Sequence, residues 1–227
     1  MIRYQKGNVV LYHADCQSVL PSLDAHRLVL MTDPPYGIAL ENHDKTGKFR
    51  RKSTYAINGD NDNKVTLSIL QWAEKQKIPT IVFASPWNIW PGKWRNMIVW
   101  DKTGVVGGGG DTARCLKRTW ELILTARNGP LNGSRDESVW RIAPHTSEWQ
   151  GTHIATKPIS LMMKLIDKFT KETDTVFDPF TGSGTTGVAC IKTGRAFIGC
   201  EKEKQFYDLA KSRIRNANYQ SSLIGVD

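Results

Sequence analysis

An α/β domain follows from three features of this sequence. Short apolar and β-branched runs alternate with amphipathic helical stretches along much of its length. One such run, Thr175-Val176-Phe177, enters a glycine-rich turn, Asp178-Pro179-Phe180-Thr181-Gly182-Ser183-Gly184-Thr185-Thr186-Gly187, and a helix starts at about Thr185. Glycines there let the backbone approach a ligand with no Cβ in the way. A second run, Leu28-Val29-Leu30-Met31, stops abruptly at Asp33-Pro34-Pro35-Tyr36. Consecutive prolines fix φ and lack N–H donors, so the strand cannot continue regularly. It delivers a carboxylate to the edge of a sheet, beside carbonyls open to new donors and a flat ring. Such a turn suits a planar substrate carrying an –NH2 group. A plain turn capped by Asp33 is the alternative.

The chain of 227 residues suffices for one full core and leaves little for a second domain. Its 40% hydrophobic and 23% charged residues are those of a soluble globular protein. A net charge of +9 favours a polyanionic partner, nucleic acid or an anionic membrane surface. No apolar run is long enough to span a bilayer, and the first residues lack the apolar core of a signal peptide, which predicts a cytoplasmic protein outside the membrane. Cys16, Cys115, Cys190 and Cys200 are widely spaced, without Cys-x-x-Cys or zinc-type clustering. They read as reduced thiols, and no structural metal is expected.

Taken in order, residues 8–13 form a short strand, with Asp15 and Cys16 at its end before a brief helical stretch to Leu23. Residues 28–32 are the strand that leads into Asp33. Residues 37–62 have little periodicity and carry Lys45, Lys48, Arg50, Arg51 and Lys52, with Phe49 and Tyr55 among them. Long loops of this kind are more often functional than inert, and this one directly follows the Asp33 turn. A helix is predicted over 65–77, from the spacing of Leu67, Ile69, Leu70 and Ala73. Strands follow at 80–84, 96–100 and 120–126. Residues 128–150 read as irregular, with Arg135 and Arg141 as cations. Pro158 suits the first turn of a helix whose apolar face is Leu161, Met162, Leu165, Ile166 and Phe169. After the glycine turn and its helix, residues 194–200 form a strand ending at Glu201. An acid at that position is where a ribose diol is held. A basic helix is predicted over 202–217.

The turn at Asp33 to Tyr36, the stretch His153-Ile154-Ala155-Thr156-Lys157-Pro158 and the Asp178 loop, in that order, resemble the amino-group DNA methyltransferases. That family methylates adenine N6 or cytosine N4 from S-adenosylmethionine, and this motif order is its beta class. The resemblance covers residues 8–36 and 153–217 well and the middle loosely. It implies a Rossmann-like S-adenosylmethionine-dependent methyltransferase fold: one domain over 1–227, a mixed, mostly parallel seven-stranded sheet, and helices on both faces. It implies that Asp33, Pro34, Pro35 and Tyr36 are catalytic, with the carboxylate and the Pro34 carbonyl holding the amino group and Tyr36 stacked on a flipped base. Cofactor contacts are implied for Asp15, Cys16, Asp33, His153, Lys157, Asp178, Pro179, Phe180, Thr181, Gly182, Ser183, Gly184, Thr185 and Glu201. Asp15 can equally be a helix cap, and Lys157 an exposed lysine at a helix start.

DNA is the expected partner, gripped by Lys45, Lys48, Arg50, Arg51, Lys52, Arg135 and Arg141, with the chain a monomer or a homodimer. Mostly phosphate-holding side chains point to a short or relaxed recognition site and salt-sensitive binding. The resemblance implies adenine before cytosine, because the family's cytosine N4 enzymes more often begin the tetrapeptide with Ser; cytosine is the nearest alternative. Gly182-x-Gly184-x-x-Gly187 with Glu201 also matches the dinucleotide fingerprint. A nicotinamide dehydrogenase would leave the Asp33 turn and the charge without a use. A non-catalytic nucleic-acid-binding module would account for the charge alone.

Overall fold

The computed structural model describes residues 1–36, 63–86, 89–103, 116, 119–126, 131–144 and 156–218. Its strands are β1 (Ile2–Lys6), β2 (Val9–His13), β3 (Leu28–Thr32), β4 (Thr80–Ala84), β5 (Asn96–Asp101), β6 (Trp120–Ala126), β7 (Val139–Arg141), β8 (Thr175–Asp178) and β9 (Ala196–Glu201). Its helices are α1 (Lys64–Lys75), α2 (Ile159–Phe169), α3 (Thr185–Thr193) and α4 (Lys204–Asn216). Among the described residues the strands make one sheet in the order β1-β2-β9-β8-β3-β4-β6-β5-β7. From β2 to β4 neighbours run parallel; β6 runs antiparallel to both its neighbours, β4 and β5, and β7 lies parallel to β5.

The mixed, mostly parallel sheet is as predicted, but among the described residues it has nine strands where seven were expected. The additional ones lie at its two edges. β1 contains Arg3, Gln5 and Lys6 and is mostly exposed, so hydrophobic alternation does not announce it. It pairs antiparallel with β2 across Gly7, whose φ of +57° suits the tight reversal. The Lys6 ammonium then donates to the Arg215 and Ala217 carbonyls at the C-terminal end of α4, at 2.8 and 2.5 Å. β7 is three residues within a stretch read as irregular, and the buried Trp140 side chain anchors it.

Side chains alternate between two layers. Val29 and Met31 of β3, Ile81 and Phe83 of β4, and Val176 of β8 face α2, α3 and α4. Leu28 and Leu30, Val82 and Ala84, and Phe177 face α1 and the turns after β2. Leu161, Met162, Leu165, Ile166 and Phe169 of α2 are all buried. Each such burial contributes roughly 1.5–3 kcal/mol, which holds a helix too short to persist alone. Pro158 stands just ahead of α2 as its extended N-cap residue, one position earlier than predicted.

The parallel core sets the site's location. From β3 the chain crosses through α1 to β4 on one side, while from β8 it crosses through α3 to β9 on the other. β3 and β8 are neighbours, so the direction of winding reverses between them. A crevice outside the carboxyl ends of strands at such a reversal is where open α/β sheets bind ligands.

Candidate active site

Asp33 follows β3 at that reversal because the ladder cannot go further. Pairing of Leu30 with Thr80 and Thr32 with Val82 would next bring the nitrogen of residue 34 to the Phe83 carbonyl. Residue 34 is proline, and the buried Trp90 indole N–H donates to that carbonyl instead, at 2.9 Å. The strand end is thereby freed to turn.

The Asp33 carboxylate has a donor on each oxygen. The Tyr36 hydroxyl donates to Oδ1 at 2.6 Å, and the Lys157 ammonium donates to Oδ2 at 2.5 Å. Burial, then the Asp33 and Glu121 carboxylates, push the Tyr36 phenol well above its ordinary pKa, so it remains a donor. Lys157, just before α2, also stands 3.2 Å from Glu121 Oε2 at the start of β6. That approach is ionic, because Oε2 is buried without a hydrogen bond. The Lys102 ammonium pairs with Glu121 Oε1. Burial alone would lower the Lys157 pKa; Asp33 and Glu121 outweigh it and hold the ammonium above its usual range. Burial would likewise raise Glu121, but Lys157 and Lys102 hold its carboxyl below normal. The result is a chain of alternating charge, Asp33–Lys157–Glu121–Lys102, along the sheet edge.

Across the reversal, Asp178 ends β8. Its Oδ1 accepts from the Thr32 hydroxyl at 2.7 Å and the Phe180 N–H at 3.2 Å, and its Oδ2 from the Thr186 hydroxyl at 2.7 Å. One buried carboxylate therefore ties β3, the glycine turn and α3 together. Burial raises its pKa to about 6 despite those donors. Glu201, ending β9, accepts from the Gly182 N–H at 2.8 Å on Oε2 and the Glu203 N–H at 2.7 Å on Oε1. Each oxygen keeps a lone pair for a further donor. The turn is braced from behind by Arg213 of α4, which donates to the Ser183 carbonyl at 2.7 Å, its hydroxyl at 3.0 Å and the Thr185 hydroxyl at 3.1 Å.

Burial moves the Glu201 pKa from 4.5 to about 7, outweighing the Glu203 and Gly182 N–H donors. An acid whose folded pKa is raised favours folding fully below its unfolded pKa. That contribution is lost as pH rises through the folded value. The window here is about 4.5 to 7. Glu201→Gln cannot ionise, so its stability relative to wild type should improve by on the order of 3 kcal/mol between about pH 5 and 8. Chemical denaturation of both proteins across that range measures the gap, and a pH-independent gap would contradict the expectation.

The residues predicted as a site meet only in part. Asp33 and Tyr36 share the reversal with Asp178 and the glycine turn. Asp15 lies at the end of β2, where its carboxylate caps the following turn through the Gln17 N–H at 3.0 Å and sits 3.8 Å from Lys202. Cys16, Cys190 and Cys200 are buried free thiols, and burial foremost pushes Cys16 up to about 12. Lys157 is no exposed helix-start lysine: its side chain is 10% exposed and faces Asp33. Arg135 and Arg141 are exposed, with Arg141 3.6 Å from Asp101. Lys45, Lys48, Arg50, Arg51, Lys52, Cys115 and His153 lie outside the described residues. Thr32, Glu121, Thr186 and Arg213 were missed. The one sequence signal for Glu121 is a lone charge entering the otherwise apolar β6 run.

Known proteins resemble this chain in sequence and in fold. A family model described as DNA methylase, for N6 and N4 enzymes, matches residues 29–212. A Type II methyltransferase, M2.LlaDCHI of Lactococcus lactis subsp. cremoris, is 27% identical over 259 residues, covering 95% of this chain and 93% of that protein. The solved M1.HpyAVI complex with SAM is similar with a TM-score of 0.61 and 25% identity, over 90% of this chain and 99% of that one. PvuII DNA methyltransferase, described as cytosine-N4-specific, shares the fold with a TM-score of 0.66 at 14% identity, over 96% of each chain. With the family model matching most of its length, including the Asp33 turn, the Asp178 loop and Glu201, the chain belongs to the N6/N4 DNA methylase family.

Proposed function

We propose that this protein transfers the methyl group of S-adenosylmethionine to N6 of adenine in DNA, acting on a base turned out of the duplex. The observation that carries the reading is the Asp33 carboxylate at the winding reversal, one strand from the glycine turn and Glu201. The net charge of +9 suits a DNA partner. Among the described residues no helix is long and apolar enough to cross a membrane. The relatives named Type II methyltransferases extend the reading to a restriction–modification setting.

The donor set fits the cofactor. Glu201 retains acceptor capacity for a ribose diol, and among the described residues a Cβ at Gly182 would meet only the Phe180 carbonyl, at 3.9 Å, so they leave the turn open there. Asp178, Pro179, Phe180, Thr181, Ser183, Gly184 and Thr185 shape this cradle, while Asp15 and Cys16 flank it at the end of β2. S-adenosylmethionine supplies an electrophilic methyl group on a sulfonium.

An exocyclic amine is a weak nucleophile because its lone pair is delocalised into the ring, and a carboxylate is far too weak a base to deprotonate it beforehand. Asp33 and the Pro34 carbonyl instead accept the two amino N–H bonds. That orients the nitrogen lone pair toward the methyl group and stabilises the positive charge that develops. As the nitrogen's bond to carbon formed, the methyl–sulfur bond would break to leave a neutral thioether, and the nitrogen would pass one proton to Asp33 or solvent. Tyr36, held next to Asp33, offers its ring to the extruded base.

Mass spectrometry of nucleosides from DNA incubated with protein and cofactor tests the assignment. N6-methyladenine is expected. N4-methylcytosine alone would move the target to cytosine, and unmodified DNA would contradict methyl transfer.

A further inference from the structure

We infer that Glu121 is a positioning residue for methyl transfer, acting through Lys157 on Asp33; the inference rests on the reading of Asp33 as the group that holds the target amine. Glu121 lies on β6, antiparallel to β4, with Leu122 in register with Ala84. The strand therefore brings Glu121 to the same sheet edge as Asp33. Lys157 stands between them, 2.5 Å from Asp33 Oδ2 and 3.2 Å from Glu121 Oε2, with its ammonium 4.9 Å from the Phe83 ring centroid. Lys102 closes the far end on Glu121 Oε1.

Stability does not account for this arrangement. Exchanging a buried ion pair for packed apolar side chains is often neutral or stabilising, and Phe83 already provides an apolar floor. Glu121 Oε2 is buried and has only the ionic approach of Lys157. What the chain does supply is geometry. The ammonium sits nearer Asp33 Oδ2, at 2.5 Å, than Glu121 Oε2, at 3.2 Å, and takes one lone pair of the Asp33 oxygen. A second carboxylate behind it divides the attraction. Asp33 is then fixed in rotation by Lys157 and Tyr36 while keeping acceptor strength on the face turned to the substrate. Lys102 balances Glu121, so two carboxylates and two ammoniums leave no net charge at the edge.

The test is a double-mutant cycle on Glu121→Gln and Lys157→Met, reading single-turnover methyl transfer to DNA and calorimetric binding of S-adenosylmethionine. Glu121→Gln should slow transfer by roughly 10- to 100-fold, the cost of a misplaced group at the reacting centre, with cofactor affinity changed by no more than about threefold. The double variant should be no slower than Lys157→Met, because the two act as one unit. Glu121→Asp, which keeps the charge on a shorter arm, should recover about tenfold of the loss. Transfer by Glu121→Gln at the wild-type rate, multiplying losses in the double variant, a parallel loss of cofactor binding, or a Glu121→Asp no faster than Glu121→Gln would each overturn the inference. Activity of the wild type in the same assay reports separately on the methyltransferase reading itself.

Discussion

Asp33→Ala should bind DNA and cofactor yet transfer methyl groups at least roughly 10³-fold more slowly than wild type, the scale of losing a preorganised electrostatic contact at the reacting atom. The change removes the acceptor for an amino N–H and the rotational anchor shared with Tyr36 and Lys157. The fold should survive. Lys157 keeps Glu121 as a counter-ion, and Asp178 still ties β3 to the glycine turn through Thr32. Single-turnover transfer with saturating DNA separates this outcome from weakened binding. Near-normal transfer would reduce Asp33 to a turn-capping carboxylate.

Gly184→Ala should destabilise the protein by roughly 2–5 kcal/mol and weaken cofactor binding with it. Gly184 has φ +84°, where an L-residue with a Cβ costs roughly 1–2 kcal/mol. Its Cβ would also stand 2.8 Å from Ala210 Cα and 2.9 Å from Ala210 Cβ, against the buried backbone of α4. Overpacking of that kind adds roughly 1–3 kcal/mol. Relief requires α4 to move away, which withdraws Arg213 from Ser183 and Thr185 and loosens the turn. Denaturant unfolding and calorimetric titration with S-adenosylmethionine measure the two effects. Wild-type stability would show that α4 does not press on the turn as described.

The parts legible in the sequence were those written in contiguous residues. The Asp33 turn carries its own cause, since consecutive prolines end a strand wherever they occur. The glycine turn likewise announces a strand, a close approach and a helix start. Glu201 was readable because its spacing from the glycines is fixed by one βαβ unit. What escaped was made by contacts that hydrophobic alternation does not encode. β1 is stabilised by a hairpin with β2 and by Lys6 on the end of α4, neither of which shows as alternation. β7 depends on Trp140 reaching the core. The partners of Lys157 lie 124 and 36 positions away, at Asp33 and Glu121, and only the antiparallel return of β6 places both at one edge. Arg213 lies one turn of α4 beyond Ala210, on a face that sequence periodicity marks only as basic.

The central claim is that the Asp33 turn and the glycine turn hold the two reactants of one transfer. A crystal structure of the protein with S-adenosylhomocysteine, the demethylated cofactor, tests it most directly. The account predicts the nucleoside against Glu201 and the Gly182–Gly184 turn, with the sulfur facing Asp33 across the β3–β8 reversal. A cofactor seated away from β8 and β9, or one whose sulfur points away from Asp33, would contradict it.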